Sequence, residues 1–256
     1  SLRRDDHLVL GVFSEAAERP APVLLDIGGR TVLPHRSDDH LHSALRCDGD
    51  PVLGVAVREV AGPERVMGIR ISADEFLQGG LTLNDMCDVV VRLAKAVQID
   101  FVNISHSAYH GSYTISTQIA DMAFRNEQFR YLTNAISNAL DKLPRKPVVM
   151  SVCRYNTIDL AEEMLSLGKA DMIGMARAHV ADPEIVNKAR TGRSDETLPC
   201  IGCNQGCADM LSQSLAISCL VNPRAGKEAE WPRPMLAKVD TKRPVLVVGA
   251  GPAGME

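Results

Sequence analysis

Between positions 66 and 192 short apolar runs alternate with amphipathic ones, and this rhythm restricts the chain more than any other feature. Residues 66–72 (VMGIRIS) read as a strand. Residues 83–97 follow as a helix, with Met86, Val90, Leu93 and Val97 on one face. Residues 100–105 (DFVNIS) are the next strand, and a long polar loop over 105–125 leads to a helix around 127–143. A third strand over 147–153 precedes a helix over 157–167, and residues 171–175 (DMIGM) form a fourth strand. The last helix is expected to start at Asp182-Pro183, a cap residue followed by proline at the first helical position. Such alternation calls for a parallel sheet with helices outside it.

A (β/α)8 barrel and an open doubly wound sheet both satisfy this rhythm. Strand periodicity puts Gly68, Arg70 and Ser72 on one face of the first strand and Met67, Ile69 and Ile71 on the other. The second strand repeats the pattern, with Asn103 and Ser105 opposite Val102 and Ile104. Strands covered by helices on both faces are more uniformly apolar, whereas barrel interiors below an active site carry small and polar groups. The pattern favours the barrel. A complete barrel takes ~250 residues and these units fill about half of that, so the C-terminal half of a TIM barrel is expected over residues 50–197. Residues 50–61 read as the helix before the first strand, and residues 1–49 show no comparable repeat and stay unassigned. Ser1 in place of Met, and a final motif that opens a structure without finishing it, suggest a piece of a longer protein.

Over residues 198–226, Cys200, Cys203, Cys207 and Cys219 stand in the spacing C-x2-C-x3-C-x11-C. Four thiolates that one loop can fold around a point suit a [4Fe–4S] cluster. Zinc sites more often show two C-x2–4-C pairs, and the second pair is missing here. Zinc, and a disulfide framework, remain as alternatives. Cys47, Cys87 and Cys153 lie scattered in apolar surroundings and read as small buried hydrophobes. A net charge of −4 and no basic run give no reason to expect nucleic acid or an anionic membrane as partner. No apolar run approaches the ~18–20 residues of a membrane span. A reducing, cytoplasmic compartment fits these features.

Residues 227–243, rich in proline and charge, suit a linker. Val245 to Val248 then read as a buried strand, followed at once by Gly249-x-Gly251-x-x-Gly254. In that context the glycines permit a tight turn and close approach to a pyrophosphate, as at the start of a Rossmann-like dinucleotide-binding domain over 244–256.

Taken together, Cys200-Ile-Gly-Cys-Asn-Gln-Gly-Cys207, Ser218-Cys-Leu-Val-Asn-Pro-Arg224 and Val247-Val-Gly-Ala-Gly-Pro-Ala-Gly254 resemble the multi-domain NADH:flavin oxidoreductases related to old yellow enzyme. The resemblance is specific around the cysteines, good along the barrel segment and poor before residue 50. It implies FMN at the C-terminal mouth of the barrel, a [4Fe–4S] cluster beside it, and FAD or ADP on the dinucleotide-type domain. Arg70 matches a basic residue near the flavin pyrimidine, where a cation stabilises the anion of the reduced ring; the plainer reading is an interior arginine paired with an acid. Cys153-Arg154 and Gly174-Met175-Ala176-Arg177 match the family's phosphate-binding loops, at the usual phosphate position of barrels; a solvated helix-end charge is the plainer reading of Arg177. His106, Tyr109 and His110, in the loop after the second strand, match positions that orient substrate or move protons, although loop histidines are often surface groups.

The resemblance therefore implies an oxidoreductase acting on a small-molecule substrate. The loop from Ser105 to Tyr113 resembles the branch that demethylates N-methylated amino acids such as proline betaine. Reduction of an activated C=C bond with NAD(P)H, as in 2,4-dienoyl-CoA reductase, is the alternative, and a zinc-stabilised, non-catalytic module is a third. An external electron carrier and a homo-oligomeric whole protein are further expectations, as is weak or absent FMN binding by residues 1–256 alone.

Overall fold

The structure, a computed structural model, describes residues 23–27, 52–108, 112–231 and 244–255. Five parallel strands lie side by side in chain order: β1 (Val23–Ile27), β2 (Met67–Ser72), β3 (Phe101–Ser105), β4 (Val148–Ser151) and β5 (Met172–Ile173). The crossovers are helical, as parallel pairing requires: α1 (Val52–Ala61), α2 (Leu83–Ala96), α3 (Ser112–Gln118), α4 (Arg130–Leu140) and α5 (Ile158–Ser166). Past β5 come α6 (Ala176–Ala181) and α7 (Ile185–Arg190). The α/β class and the parallel sheet agree with the sequence expectation.

The sheet segregates its faces as period two dictates. Met67, Ile69, Ile71, Val102, Ile104 and Val149 are at most 2% exposed and pack with Met86 and Val90 of α2 and Leu132, Ile136 and Leu140 of α4. Each such side chain contributes roughly 1.5–3 kcal/mol on full burial, so this face fixes the strand register: a one-residue slip would turn the whole row outward. The opposite face carries, in register across four strands, Arg70, Asn103, Met150 and Met172, with Asp26 the Cα partner of Arg70 on β1. Gly68 is needed on this face because a Cβ there would lie 2.4 Å from the Phe101 ring. α2 begins with a reciprocal cap, Thr82 Oγ1 accepting from the Asp85 amide and Asp85 Oδ2 accepting from the Thr82 amide.

Four expectations change. Residues 23–27, left unassigned, form β1; a lone apolar pentapeptide with no helical period behind it gives no repeat unit to recognise. The polar loop after β3 contains α3. The helix expected to start at Asp182-Pro183 begins two residues later as the short α7, after a turn in which Asp182 Oδ1 accepts from the Glu184 amide at 3.0 Å, and a separate short helix, α6, ends just before it. Val245 to Val248, expected as a buried strand, are 60–89% exposed and extended. A strand exists only through ladder bonds to a neighbour, and among the described residues these have none.

Candidate functional site

The polar face of the sheet converges on Arg70. Its Nη1 donates to Asn103 Oδ1 at 3.1 Å and its Nη2 to Ser105 Oγ at 3.0 Å, both on the neighbouring strand. The guanidinium is thereby held by neutral acceptors that leave its charge intact. Beyond the strand ends, Ser72 Oγ donates to Ser107 O at 2.9 Å, and Ser107 takes a left-handed backbone at φ 74°. His106 between them is 2% exposed. Its ring stacks on Phe129 with centroids 4.1 Å apart, and Nε2 lies 2.8 Å from Thr117 O. A carbonyl only accepts, so Nε2 carries the hydrogen. Burial pulls the His106 pKa down to about 4, against the opposing bond to Thr117, and the ring is neutral near pH 7. His106 therefore ties the loop to α3 in a fixed tautomer. Tyr109 and His110, the other two candidates of this loop, lie outside the described residues.

After β4 the chain turns through two consecutive left-handed residues, Cys153 at φ 83° and Arg154 at φ 64°. Each costs on the order of 1–2 kcal/mol for a residue with a Cβ, and such strain clusters at ligand-binding turns. Burial raises the Cys153 thiol to about 11 despite the nearby Arg177 and Arg154, so it stays protonated. Arg154 Nη2 donates to Phe124 O at 3.1 Å, while its buried Nε has no partner. After β5, Gly174 is required because a Cβ would meet Val152 Cγ1 at 2.8 Å. Met175 is buried and precedes α6, Ala176 is exposed, and Arg177 donates from Nη1 to Asn204 Oδ1 at 2.6 Å.

That bond leads into the cysteine segment. Cys200, Cys203, Cys207 and Cys219 line a single small cavity together with Arg177 and Asn204. All four are free thiols. Local backbone builds the ring. Gly202 sits at φ 73° and its amide donates to Cys200 Sγ at 3.4 Å. Asn204, left-handed at φ 60°, opens a π-helical turn (Gln205–Asp209) that carries Cys207. Gly206 lets the Cys207 and Cys219 stretches touch: Ser218 N donates to Gly206 O at 2.6 Å, and a Cβ on Gly206 would lie 2.7 Å from Ser218 O. Burial raises the Cys200 pKa, opposed by the Gly202 amide and Arg177.

The donor set is four thiols, the complement that a [4Fe–4S] cluster takes. Zinc too accepts four thiolates, at ~2.3 Å, and among the described residues no three His, Cys, Asp or Glu side chains are grouped so as to hold a metal ion. A cubane takes one cysteine at each iron corner and spreads them around a wider volume. Four free cysteines around one cavity, with an amide donating to sulfur and a guanidinium in the wall, fit that wider group.

Residues 53–196 match the NADH:flavin oxidoreductase / NADH oxidase family. The chain belongs to that family. This chain is 38% identical over 205 residues to "Metal reductase" of Desulforamulus reducens, covering 78% of the chain and 28% of the relative. It is 32% identical over 201 residues to "Probable N-methylproline demethylase" of Rhizobium meliloti, covering 78% and 29%. Histamine dehydrogenase from Rhizobium sp. 4-9 superposes with a TM-score of 0.66 at 27% identity, over 79% of this chain and 28% of that one. The chain thus spans between a quarter and a third of the length of these relatives.

Within this family member, the structure brings Arg177 of the second phosphate-type loop to the cysteine ring, and Arg154 of the first to Gly202 inside it; a Cβ on Gly202 would lie 2.1 Å from Arg154 Nη1. In the glycine motif, Gly249 has φ 130° and a Cβ on Gly254 would lie 2.2 Å from Gly249 O, so the turn needs its third glycine before the short helix α8 (Pro252–Met255). Three residues that organise the site were not anticipated. Asn204 could have been suspected from asparagine's tolerance of the left-handed region. Asp182 was legible only as a helix-start residue, without its bond to Leu198, and Phe129 acts on His106, a partner distant in sequence that left no local signal.

Proposed function

We propose that the chain is the flavin-facing part of a (β/α)8-barrel oxidoreductase, with FMN at the mouth of the sheet and a [4Fe–4S] cluster on Cys200, Cys203, Cys207 and Cys219. When bound, the two groups supply hydride acceptance and single-electron transfer respectively. The observation that carries this reading is the ring of four free cysteines around one cavity walled by Arg177 from the β5 loop. Arg70, fixed by Asn103 and Ser105, is the cation for the flavin pyrimidine. The backbone amides of the strained Cys153-Arg154 turn and of Gly174 to Arg177 hold the phosphate, the two guanidinium groups being turned to the cysteine loop. Gly249, Gly251 and Gly254 open the domain for FAD or ADP. His106 orients the loop in its neutral form, leaving Tyr109 and His110 as the groups to meet substrate and move its proton.

The substrate class supported best is an N-methylated amine or betaine, in line with the N-methylproline demethylase and histamine dehydrogenase relatives. The family's NADH-linked description favours a second reading, NAD(P)H-dependent reduction of a C=C bond. Anaerobic purification with iron, sulfide and flavin assays tests the cofactors. About four irons with matching sulfide and one FMN per chain support the reading; zinc without sulfide overturns it. Anaerobic bleaching of the flavin by N-methylproline or dimethylglycine supports demethylation, and bleaching only by NADH with reoxidation by an enoyl thioester supports the second reading.

A further inference from the structure

Arg154 and Arg177 stand out among the cations of the described residues. Neither makes an ion pair there. Both are partly buried, and the Arg154 Nε is itself buried and unpartnered. Burial and the repulsion of Arg177 both pull the Arg154 pKa down. Asp121 is the one carboxylate whose charge acts on Arg154, and it forms no ion pair with it, so two neighbouring cations at this place favour an anion between them. Sequence likeness assigned both to a phosphate, yet their side chains run to the cysteine loop. Arg177 lines the same cavity as the four thiols and donates to Asn204, whose neighbour is Cys203. Arg154 lies against Gly202, between Cys200 and Cys203.

We propose that Arg154 and Arg177 are charge partners of the cysteine ring and set how readily the group it holds accepts an electron. The inference rests on the cluster reading above. The step is the uptake of one electron, supplied by reduced flavin in the enzyme and by dithionite in the assay. No bond forms or breaks, and the thiolate-bound cluster becomes one unit more negative. A fixed cation nearby stabilises the more negative form and raises the reduction potential. Both residues are positioning residues in this role.

The test is an EPR-monitored redox titration of the anaerobically purified protein and of Arg177→Gln, Arg154→Gln, Arg177→Lys and Arg154→Lys. At the midpoint of the unaltered protein, each glutamine variant with full iron content is expected to show the reduced-to-oxidised ratio about tenfold lower, a shift of about 59 mV for one electron. Each lysine variant keeps most of the original value, and raised salt narrows the gap, because solvent-side charge is screened over ~8 Å at 0.15 M. If the glutamine variants fail to load iron while the lysine variants load it, charge is again what the ring requires. Unchanged midpoints in iron-loaded glutamine variants overturn the proposal, as does loss of iron in all four variants, which would make guanidinium shape the requirement. Absence of iron from the unaltered protein is a different outcome and removes the cluster reading itself.

Discussion

Asp182 is the firmest clasp between the sheet layer and the cysteine segment, and replacing it by alanine is expected to cost about 3 kcal/mol. The carboxylate is 3% exposed and accepts from Lys188 Nζ at 2.6 Å, from the Leu198 amide at 3.0 Å and from the Glu184 amide at 3.0 Å. Burial alone would raise its pKa; the bonds from Lys188, Leu198 and Glu184 outweigh that and hold it below the ordinary value. Breaking one side of a buried pair costs roughly 3–5 kcal/mol. Lys188 keeps a second bond to Glu196 O at 2.8 Å and is 17% exposed, which puts Asp182→Ala at the lower end. Lys188→Met leaves the carboxylate with both amide donors, and the expected loss is only about 1–2 kcal/mol. Urea denaturation followed by circular dichroism measures both, with faster exchange of the Leu198 amide as a local readout of Asp182→Ala. Equal losses for the two variants, or a loss below about 1 kcal/mol for Asp182→Ala, would refute this ordering. Because the folded pKa is depressed, the contribution is present above the unfolded value of ~3.9 and disappears as pH falls through the folded one.

His106 has the complementary pH signature: with its folded pKa near 4 against 6.5, the unfolded chain binds the proton first, and stability falls as pH drops from 6.5 towards 4. The full effect is about 3 kcal/mol, and His106→Gln is expected to flatten that part of the stability-pH curve. Gly206→Ala pushes a methyl group into Ser218 O and is expected to cost about 1–3 kcal/mol, together with iron retention, read by melting temperature and iron content. Arg70→Met removes the cation fixed by Asn103 and Ser105 and is expected to lower the rate of flavin reduction by about 10²–10³ in anaerobic stopped-flow, with flavin content as the control.

Strand and helix positions were legible wherever one side chain in two, or one in three to four, meets the core. Met67, Ile69 and Ile71 announce their strand, and Met86, Val90 and Leu93 announce α2, because burial acts on the period itself. Arg70 was legible as a polar break in an apolar strand, and the four cysteines by spacing. What escaped depends on pairing across the chain. Val245 to Val248 have strand composition, but composition supplies no neighbour to bond with. Arg177 was assigned by its position after β5, yet its guanidinium extends to Asn204, and no local pattern records which way a long side chain turns. His106 looked titratable in a polar loop; the Phe129 ring that buries it arrives from another element.

The cysteine loop is fastened at both ends to α6 and the turn after it: Leu198 N to the Asp182 carboxylate, and Asn222 Nδ2 to Val180 O at 2.8 Å. Neither fastening uses sulfur. The course of the loop is therefore set by ordinary amide and carboxylate bonds, so that substitutions at the cysteines are expected to leave both fastenings in place.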